Sequence, residues 1–177
     1  AYSKGAVFLG QLAYIVGYEN LFNILRAYYN EWKFKHPLPN DFRRIAERIS
    51  GIQLQWYLTD WTQTTNKIDY AISDVEDKGE GSKINLTRNQ LMPMPLELLV
   101  VLKNGESELH YIPISLMRGE KANPYPIKWV VHPDWTWAHL EYSFLIDHPK
   151  QEIQTIIIDP SGLMADVDKS NNYYASE

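Results

Sequence analysis

The chain has 177 residues, of which 45% are hydrophobic and 22% charged, and its formal net charge is −5. This composition is typical of a folded globular protein and excludes an intrinsically disordered one, while the acidic balance argues against a nucleic-acid-binding surface. Cysteine is absent, which excludes disulfides and cysteine nucleophiles. No apolar stretch approaches the roughly 20 residues of a membrane span, so we expect none.

The first part of the chain has hydrophobic side chains at helical spacing, and four helices are predicted there. The first should end at Gly17, because glycine is a common C-terminal cap. Proline residues up to Pro39 separate the second helix from the third, which we expect Asn40 to cap and Ser50-Gly51 to end. A short fourth helix is predicted to reach Trp61.

From Lys67 onward the hydrophobic period changes to two, which is typical of β-strands. About seven short strands are predicted, and Asn104-Gly105 is the strongest hairpin signal among them. Residues 135–146 are expected to form one long strand. No helical pattern intervenes after Thr65, which favours antiparallel pairing over parallel βαβ units.

The sequence therefore predicts an α + β protein in two parts. Residues 1–66 should form an N-terminal helical bundle, and residues 67–177 an antiparallel immunoglobulin-like β-sandwich. The helices carry apolar residues on more than one side, for example Val7, Leu9 and Ile24. We expect this additional apolar surface to contact a partner, or to cause self-association of the isolated chain.

The side chains that bind metals or act as nucleophiles form no recognisable catalytic motif. Two histidines four residues apart, as in H-E-x-x-H, are absent, and no G-x-S-x-G occurs. Three of the histidines precede a proline, which favours extended or turn backbone. His132 and His139 could meet across a turn, but no third ligand is evident. No metal ligand is predicted among the five histidines, His36, His110, His132, His139 and His148.

One acidic pattern has the spacing of a calcium-binding loop. Asp166, Asp168, Ser170 and Asn172 fall at alternate positions, and Glu177 stands where such a loop has its bidentate carboxylate. However, Asn171 replaces the glycine that the sharp turn requires, and no flanking helix is predicted. We therefore favour a mobile polar terminus, with calcium binding as the alternative.

The opening Tyr2-Ser-Lys-Gly-Ala6 resembles the helix that follows the metal site in zinc peptidases of the aminopeptidase N and leukotriene hydrolase family, the gluzincins. Asp41-Phe42, Ser50-Gly51 and Trp61 continue the resemblance in the same order over about 60 positions. Met92-Pro-Met-Pro95, before an apolar strand, is similar to the start of the small β-domain found in many members. Ser3 departs from the pattern, since Glu is common there.

This resemblance implies a parent enzyme that hydrolyses peptides with zinc-activated water. Tyr2 would be its catalytic residue in this chain, donating a hydrogen bond that stabilises the oxyanion. The zinc ligands would precede Tyr2, so zinc is implied for the parent only, and this chain alone should be inactive. The implied partners are a peptide substrate and the remainder of the catalytic domain, packed against the helical part. The resemblance also suggests export to a bacterial envelope.

Two alternatives remain open. The β-sandwich could be a non-catalytic binding module that grips a protein or glycan through exposed aromatic side chains. The competing interpretation, which we favour, is that these aromatic residues form the sandwich core: Trp129, Trp135, Trp137, Tyr142 and Phe144. Alternatively, the chain belongs to a family member that has lost its metal site and serves as a scaffold.

Overall fold

The computed structural model describes residues 2–176, with the Tyr2 side chain outside the described part. The chain divides into two compact units. The first comprises Ala1–Thr65 with Leu116–Pro124, and the second Asn66–Ser115 with Tyr125–Glu177. The described α-helices lie in the first unit and the strands in the second, so the chain has the mixed α and β structure predicted from its sequence.

The described part of the first unit contains four α-helices, Tyr2–Val16 (α1), Tyr18–Trp32 (α2), Pro39–Ser50 (α3) and Gln55–Gln63 (α4). Two helix ends follow the sequence prediction. Gly17 follows α1 with φ of 85°, and Gly51 follows α3 with φ of 71°. Glycine adopts such positive φ values without a Cβ clash, which explains why both helices end there.

The start of α3 differs from the prediction that Asn40 caps it. Pro39 is the first helical residue and Leu38 the N-cap. Proline is favoured at this position because its fixed φ suits the helix and its missing N–H needs no partner. The capping acceptor is Asp41, whose Oδ2 accepts a hydrogen bond from the Leu38 N–H at 2.8 Å. The Asn40 side chain instead accepts from Arg43 Nε at 3.3 Å.

Aromatic side chains fill the space between α1, α3 and α4. The Phe8 ring stacks on Tyr57 with centroids 5.0 Å apart, meets Trp61 edge-on at 6.0 Å and lies 6.3 Å from Phe42. The Tyr57 hydroxyl donates a hydrogen bond to the Phe8 carbonyl at 2.6 Å. Burial raises the pKa of this phenol above its usual value, so it remains a neutral donor. These contacts join the first helix to the last.

The segment Leu116–Pro124, between two strands in sequence, belongs to the helical unit. Its Lys121 is buried: the Nζ atom donates to the Tyr14 carbonyl at 2.6 Å and lies 4.7 Å from the centroid of the Tyr14 ring. Gly119 passes so close to the first part of the chain that a Cβ there would lie 2.9 Å from the Gly51 carbonyl oxygen. The alternating pattern of the second half gave no indication of this packing.

The strands of the second unit form two sheets within the described residues. One sheet has the order β1-β2-β6 and the other β5-β4-β3-β7-β8. All pairings are antiparallel except that of β4 with β5, which is parallel. The strands are Tyr70–Asp77 (β1), Ser82–Arg88 (β2), Leu96–Leu102 (β3), Ser107–Ile112 (β4), Lys128–Val131 (β5), Glu141–Ile146 (β6), Ile153–Ile158 (β7) and Tyr173–Ala175 (β8).

Alternation along the strands produces the two faces of each sheet. Along β2, Ile84 and Leu86 are fully buried, whereas the residues that alternate with them are half-buried. The inner faces contact each other through side chains such as Phe144 of β6, whose ring lies 5.4 Å from that of His110 on β4. The predicted hairpin at Asn104-Gly105 is confirmed, since this turn joins β3 to β4.

The prediction of one long strand over residues 135–146 is wrong. Only Glu141–Ile146 is strand, while Trp135 makes an isolated parallel bridge with Ile114. A turn closed by the hydrogen bond from His139 N–H to the Thr136 carbonyl, at 3.0 Å, interrupts the alternating pattern. The expectation of antiparallel pairing is also wrong for one pair of strands, since β4 and β5 are parallel. Parallel neighbours need a long crossover connection, and the chain between β4 and β5 is long enough to provide one.

The prediction of a mobile polar terminus is wrong for residues 166–175. Asp166 bridges to Ile68, and its Oδ2 accepts a hydrogen bond from the Tyr70 N–H at 3.0 Å. The Asp168 carboxylate accepts from the Ser170 N–H at 3.1 Å. The alternating acidic residues therefore satisfy backbone donors beside β8. Glu177, a ligand in the calcium alternative, lies outside the described residues.

Candidate functional site

The structure places the predicted catalytic residue, Tyr2, at the first position of α1, and its side chain lies outside the described part. Two residues further along α1, the Lys4 ammonium lies 5.8 Å from the centroid of the Trp61 ring on α4. This cation–π contact joins two residues of the peptidase-like pattern that are distant in sequence. The first turn of α1 is thus held against the last helix of its unit.

Four of the five aromatic residues considered as a binding surface pack within the second unit. Trp135 and Phe144 are buried, and Trp135 stacks on the half-buried Tyr142 with centroids 5.2 Å apart. The half-buried Trp129 stacks on Tyr111 at 5.0 Å. Only Trp137 of this set is largely exposed, at 56%. The alternating aromatic residues therefore contribute mainly to packing.

A buried charged cluster, which we call the Glu108 cluster, lies where β4, β5 and β6 meet. Glu108 and His110 are two residues apart on β4, so both side chains face the same side of the sheet, and both are almost fully buried. The His110 Nε2 lies 2.9 Å from Glu108 Oε1. Its Nδ1 lies 2.8 Å from Nε2 of His132, which directly follows β5. The carboxylate and the two imidazoles form one continuous hydrogen-bonded chain.

Two more basic side chains meet the Glu108 carboxylate. Lys128 Nζ on β5 lies 2.5 Å from Oε2, and His148 Nε2 lies 3.3 Å from Oε1. A buried carboxylate requires such partners, because burial without them strongly disfavours its charged form. Burial raises the Glu108 pKa, but the hydrogen bond from Lys128 and the neighbouring His110 outweigh it and hold that pKa below its usual value.

The two imidazoles are held in their neutral form. Burial lowers the pKa of His110, although the Glu108 carboxylate acts in the opposite direction. Burial also lowers the pKa of His132, to about 4, and the adjacent His110 adds to this effect. The Phe144 ring lies 4.2 Å from the His132 ring by centroids, which gives the pair an apolar neighbour. Near neutral pH the cluster therefore carries its charge on Glu108 and Lys128.

A cavity of about 460 Å³ adjoins the Glu108 cluster. Glu108, Lys128 and His148 contribute to its wall, so that water can reach this side of the carboxylate. The remaining lining is mixed, with apolar Leu102 and Ile127 among it. The arrangement can store and move protons between solvent and the two imidazoles, because each link of the chain is a hydrogen bond.

Sequence reasoning missed this cluster because its members are brought together by the parallel pairing of β4 with β5. His110 and His132 are 22 positions apart, and no local pattern joins them. The sequence offered His139 as a residue that could meet His132 across a turn, whereas the His132 ring contacts those of His110 and Phe144. The available signal was the alternation of Glu108 with His110 on a strand that also contains Leu109, Tyr111 and Ile112, since a buried charged pair needs further partners.

No group of three or more His, Asp or Glu side chains within the described residues is arranged to hold a metal ion. In the histidine pair, the two nearest ring nitrogens face each other at hydrogen-bonding distance instead of converging on a common point. No helix in the described part is long and apolar enough to cross a membrane. The sequence matches no protein-family model, and no characterised protein matches it significantly.

Proposed function

We propose that this chain is the C-terminal part of a zinc aminopeptidase-like metallopeptidase and contributes one catalytic residue, Tyr2. The observation that carries the proposal is the order of elements: a helix that contains Tyr2 and Lys4-Gly5-Ala6, three more helices, and then a β unit. The residues that resemble the peptidase family follow one another along these elements in the order of the family's pattern. In the parent, the Tyr2 phenol donates a hydrogen bond to the oxyanion formed during peptide hydrolysis.

The peptidase-like residues of α3 also support the proposal, because they lie at the ends of that helix. Asp41 caps the start of α3 through the Leu38 N–H. Near the other end, Glu47 Oε1 accepts a hydrogen bond from the Leu54 N–H at 2.8 Å, which fixes the turn after Ser50-Gly51. The resemblance gives Asp41-Phe42 as the start of a helix, and the position of Asp41 in the first turn of α3 supports the proposal.

Exposed apolar side chains on the helices support a partner for the helical unit. Phe22 and Tyr29 of α2 are 61% and 65% exposed, and Val7 of α1 is 42% exposed. Large exposed hydrophobic residues in proximity mark interaction surfaces. In this proposal, the remainder of the catalytic domain covers them, and zinc with its ligands belongs to that remainder. The described residues of this chain do not provide a zinc site.

The same proposal gives the finer fold: the four helices are the bundle that ends a thermolysin-like catalytic domain, and the two sheets are an immunoglobulin-like sandwich. The mostly antiparallel strands and the contact of Phe144 with His110 between the sheets support the sandwich. The parallel pairing of β4 with β5 is a local departure from the usual pattern.

The test uses both the chain and its parent reading frame. With zinc and an aminoacyl chromogenic substrate, this chain alone should give no turnover, and metal-dependent release above blank would overturn the proposal. The upstream frame should encode H-E-x-x-H followed by a distal glutamate. In that parent, Tyr2→Phe should lower kcat about 10² to 10³-fold with little change in KM, since an oxyanion donor acts in the transition state. Tyr18→Phe, on exposed α2 surface, is the matched control.

A second candidate is a binding module in which the exposed Trp137 contacts a protein or glycan. The observation favouring it is that Trp137 and Leu140 are both more than half exposed in one short connection before β6. An upstream region without zinc ligands, together with ligand binding that Trp137→Ala abolishes without unfolding, would favour this function. Unchanged binding in that variant would remove it.

A further inference from the structure

The contact between His110 and His132 limits the number of protons the pair can hold. Nδ1 of one ring faces Nε2 of the other at 2.8 Å, so a single hydrogen must lie between them. With both rings neutral, His132 donates from Nε2 to His110 Nδ1, and His110 donates from Nε2 to Glu108. One additional proton can be placed without loss of this contact. A second leaves two N–H groups facing each other, and the rings must separate.

The pair lies between the edge strands of the two sheets. β5 is four residues long and pairs only with β4, and β6 pairs only with β2. His132 directly follows β5, and its ring packs against Phe144 of β6 with centroids 4.2 Å apart. Separation of the two rings therefore removes a contact that ties β5 both to its own sheet and to the facing one.

We propose that His110 and His132 form an acid-sensitive latch, which holds the β5 edge closed near neutral pH and releases it when the pair becomes doubly protonated. Release uncovers the edge of β4 and the Phe144 ring. Opening leaves backbone N–H and C=O groups unpaired at the edge of β4. The latch is thus a device that opens one edge of the sheet in acid. It does not depend on the proposed peptidase function.

The charged neighbours of the pair determine the direction of the response. From β4, Glu108 faces His110; from β5, Lys128 binds Glu108; and after β6, His148 reaches the same carboxylate. Asp147 and Glu106 are further acidic groups that interact electrostatically with Lys128. From β6, Phe144 contributes an uncharged ring. One carboxylate thus serves three basic side chains, so a second added proton has no anionic partner in the cluster. The lowered pKa values of both histidines agree with this direction.

The test measures the opening of β5 directly in the wild-type chain. Amide hydrogen exchange is followed from about pH 7 to pH 4.5 and converted to protection factors, which remove the intrinsic pH dependence of exchange. Protection of β5 should fall at least about tenfold over this range while that of β2 changes far less, because opening is linked to the uptake of protons by the pair. Ring titration by NMR should show that β5 opens at the pH where both His110 and His132 are protonated.

A histidine variant separates the latch from general acid unfolding. In His132→Gln the side-chain amide can still donate to His110 but takes up no proton, so the opening of β5 should shift to lower pH. His139→Gln is the matched control, because His139 is an exposed histidine in the connection before β6. Equal opening midpoints in the wild type and His132→Gln overturn the proposal. So does a common loss of protection in β5 and β2, and this comparison requires no variant.

Discussion

At the scale of single residues, buried polar side chains fix the path of connecting segments by pairing with backbone groups. The Tyr70 hydroxyl accepts a hydrogen bond from the Met94 N–H at 2.8 Å and donates to the Met94 carbonyl at 3.1 Å. Both residues are buried, so water would have to enter the protein interior to replace these hydrogen bonds. The segment before β3 is therefore anchored to the start of β1 through one phenol.

Replacing Tyr70 with phenylalanine tests this anchor. The ring and its edge-on contact with Trp135, at 5.4 Å, can remain, but two buried backbone groups lose their partner. We expect the free energy of unfolding of the second unit to fall by about 2 kcal/mol, since leaving a buried polar group unpaired costs roughly 1 to 3 kcal/mol. Amide exchange in β2 measures this value. Tyr173→Phe, on an exposed residue, should change it little, and an equal effect of the two substitutions would contradict the anchor.

The stability of the second unit should also depend on pH through His132. Its pKa is about 4 in the folded chain, against 6.5 for an unperturbed histidine. Between these two pH values the unfolded chain binds more protons than the folded chain. The free energy of unfolding therefore rises with pH across this window and decreases as the pH falls. Partial exposure of the ring reduces the effect to roughly 1 to 2 kcal/mol. Urea unfolding at several pH values should show this slope, and His132→Gln should flatten it; an unchanged slope would contradict the assignment.

At the scale of elements, the connection between β1 and β2 depends on one close backbone approach. A Cβ on Gly81 would lie 2.6 Å from the Ile146 carbonyl oxygen of β6. Because this neighbour is backbone, it cannot move aside without disturbing the pairing of Ser82 with Ile146. Gly81→Ala should therefore destabilise the second unit by about 1 to 3 kcal/mol.

Gly10→Ala is the control, because it should change stability in the opposite direction to Gly81→Ala. Gly10 lies inside α1, and no atom outside its local backbone is within 4 Å of the added Cβ. Alanine favours helix by up to about 1 kcal/mol over glycine, so this variant should stabilise the first unit. Thermal unfolding followed by circular dichroism measures both changes. Destabilisation by Gly10→Ala, or none by Gly81→Ala, would contradict the packing around these glycines.

The elements that sequence predicts correctly are those set by local chemistry. Gly17 and Gly51 end helices through their own backbone freedom, and Asn104-Gly105 forms a hairpin turn between adjacent strands. The errors arise where pairing between residues distant in sequence determines the structure. Parallel addition of β5 to β4 has no local signal, and it is this pairing that brings His132 to His110. The Glu108 cluster could therefore not be predicted, although the type and position of each of its residues are known from the sequence.

At the scale of the whole molecule, the first unit is discontinuous in sequence. The sequence placed a boundary after residue 66, yet Leu116–Pro124 clusters with the helices. Within that segment the Met117 carbonyl accepts a hydrogen bond from the Gln53 N–H at 2.8 Å, and buried Lys121 donates to the Tyr14 carbonyl. A chain cut at the predicted boundary loses both contacts while retaining all four helices.

We therefore expect residues 1–66 alone to be less stable than the same residues in the full chain. Two backbone groups lose their buried partners, Met117 and Lys121. The Tyr14 ring also loses its cation–π contact with Lys121, which contributes about 0.5 to 2 kcal/mol. Amide exchange in α1 compares the two forms directly. A synthetic peptide of residues 115–125 added in trans should restore part of the protection, whereas the same peptide with Lys121 replaced by alanine should restore less. Equal protection of α1 in the fragment and in the full chain would show that the helices do not need this segment.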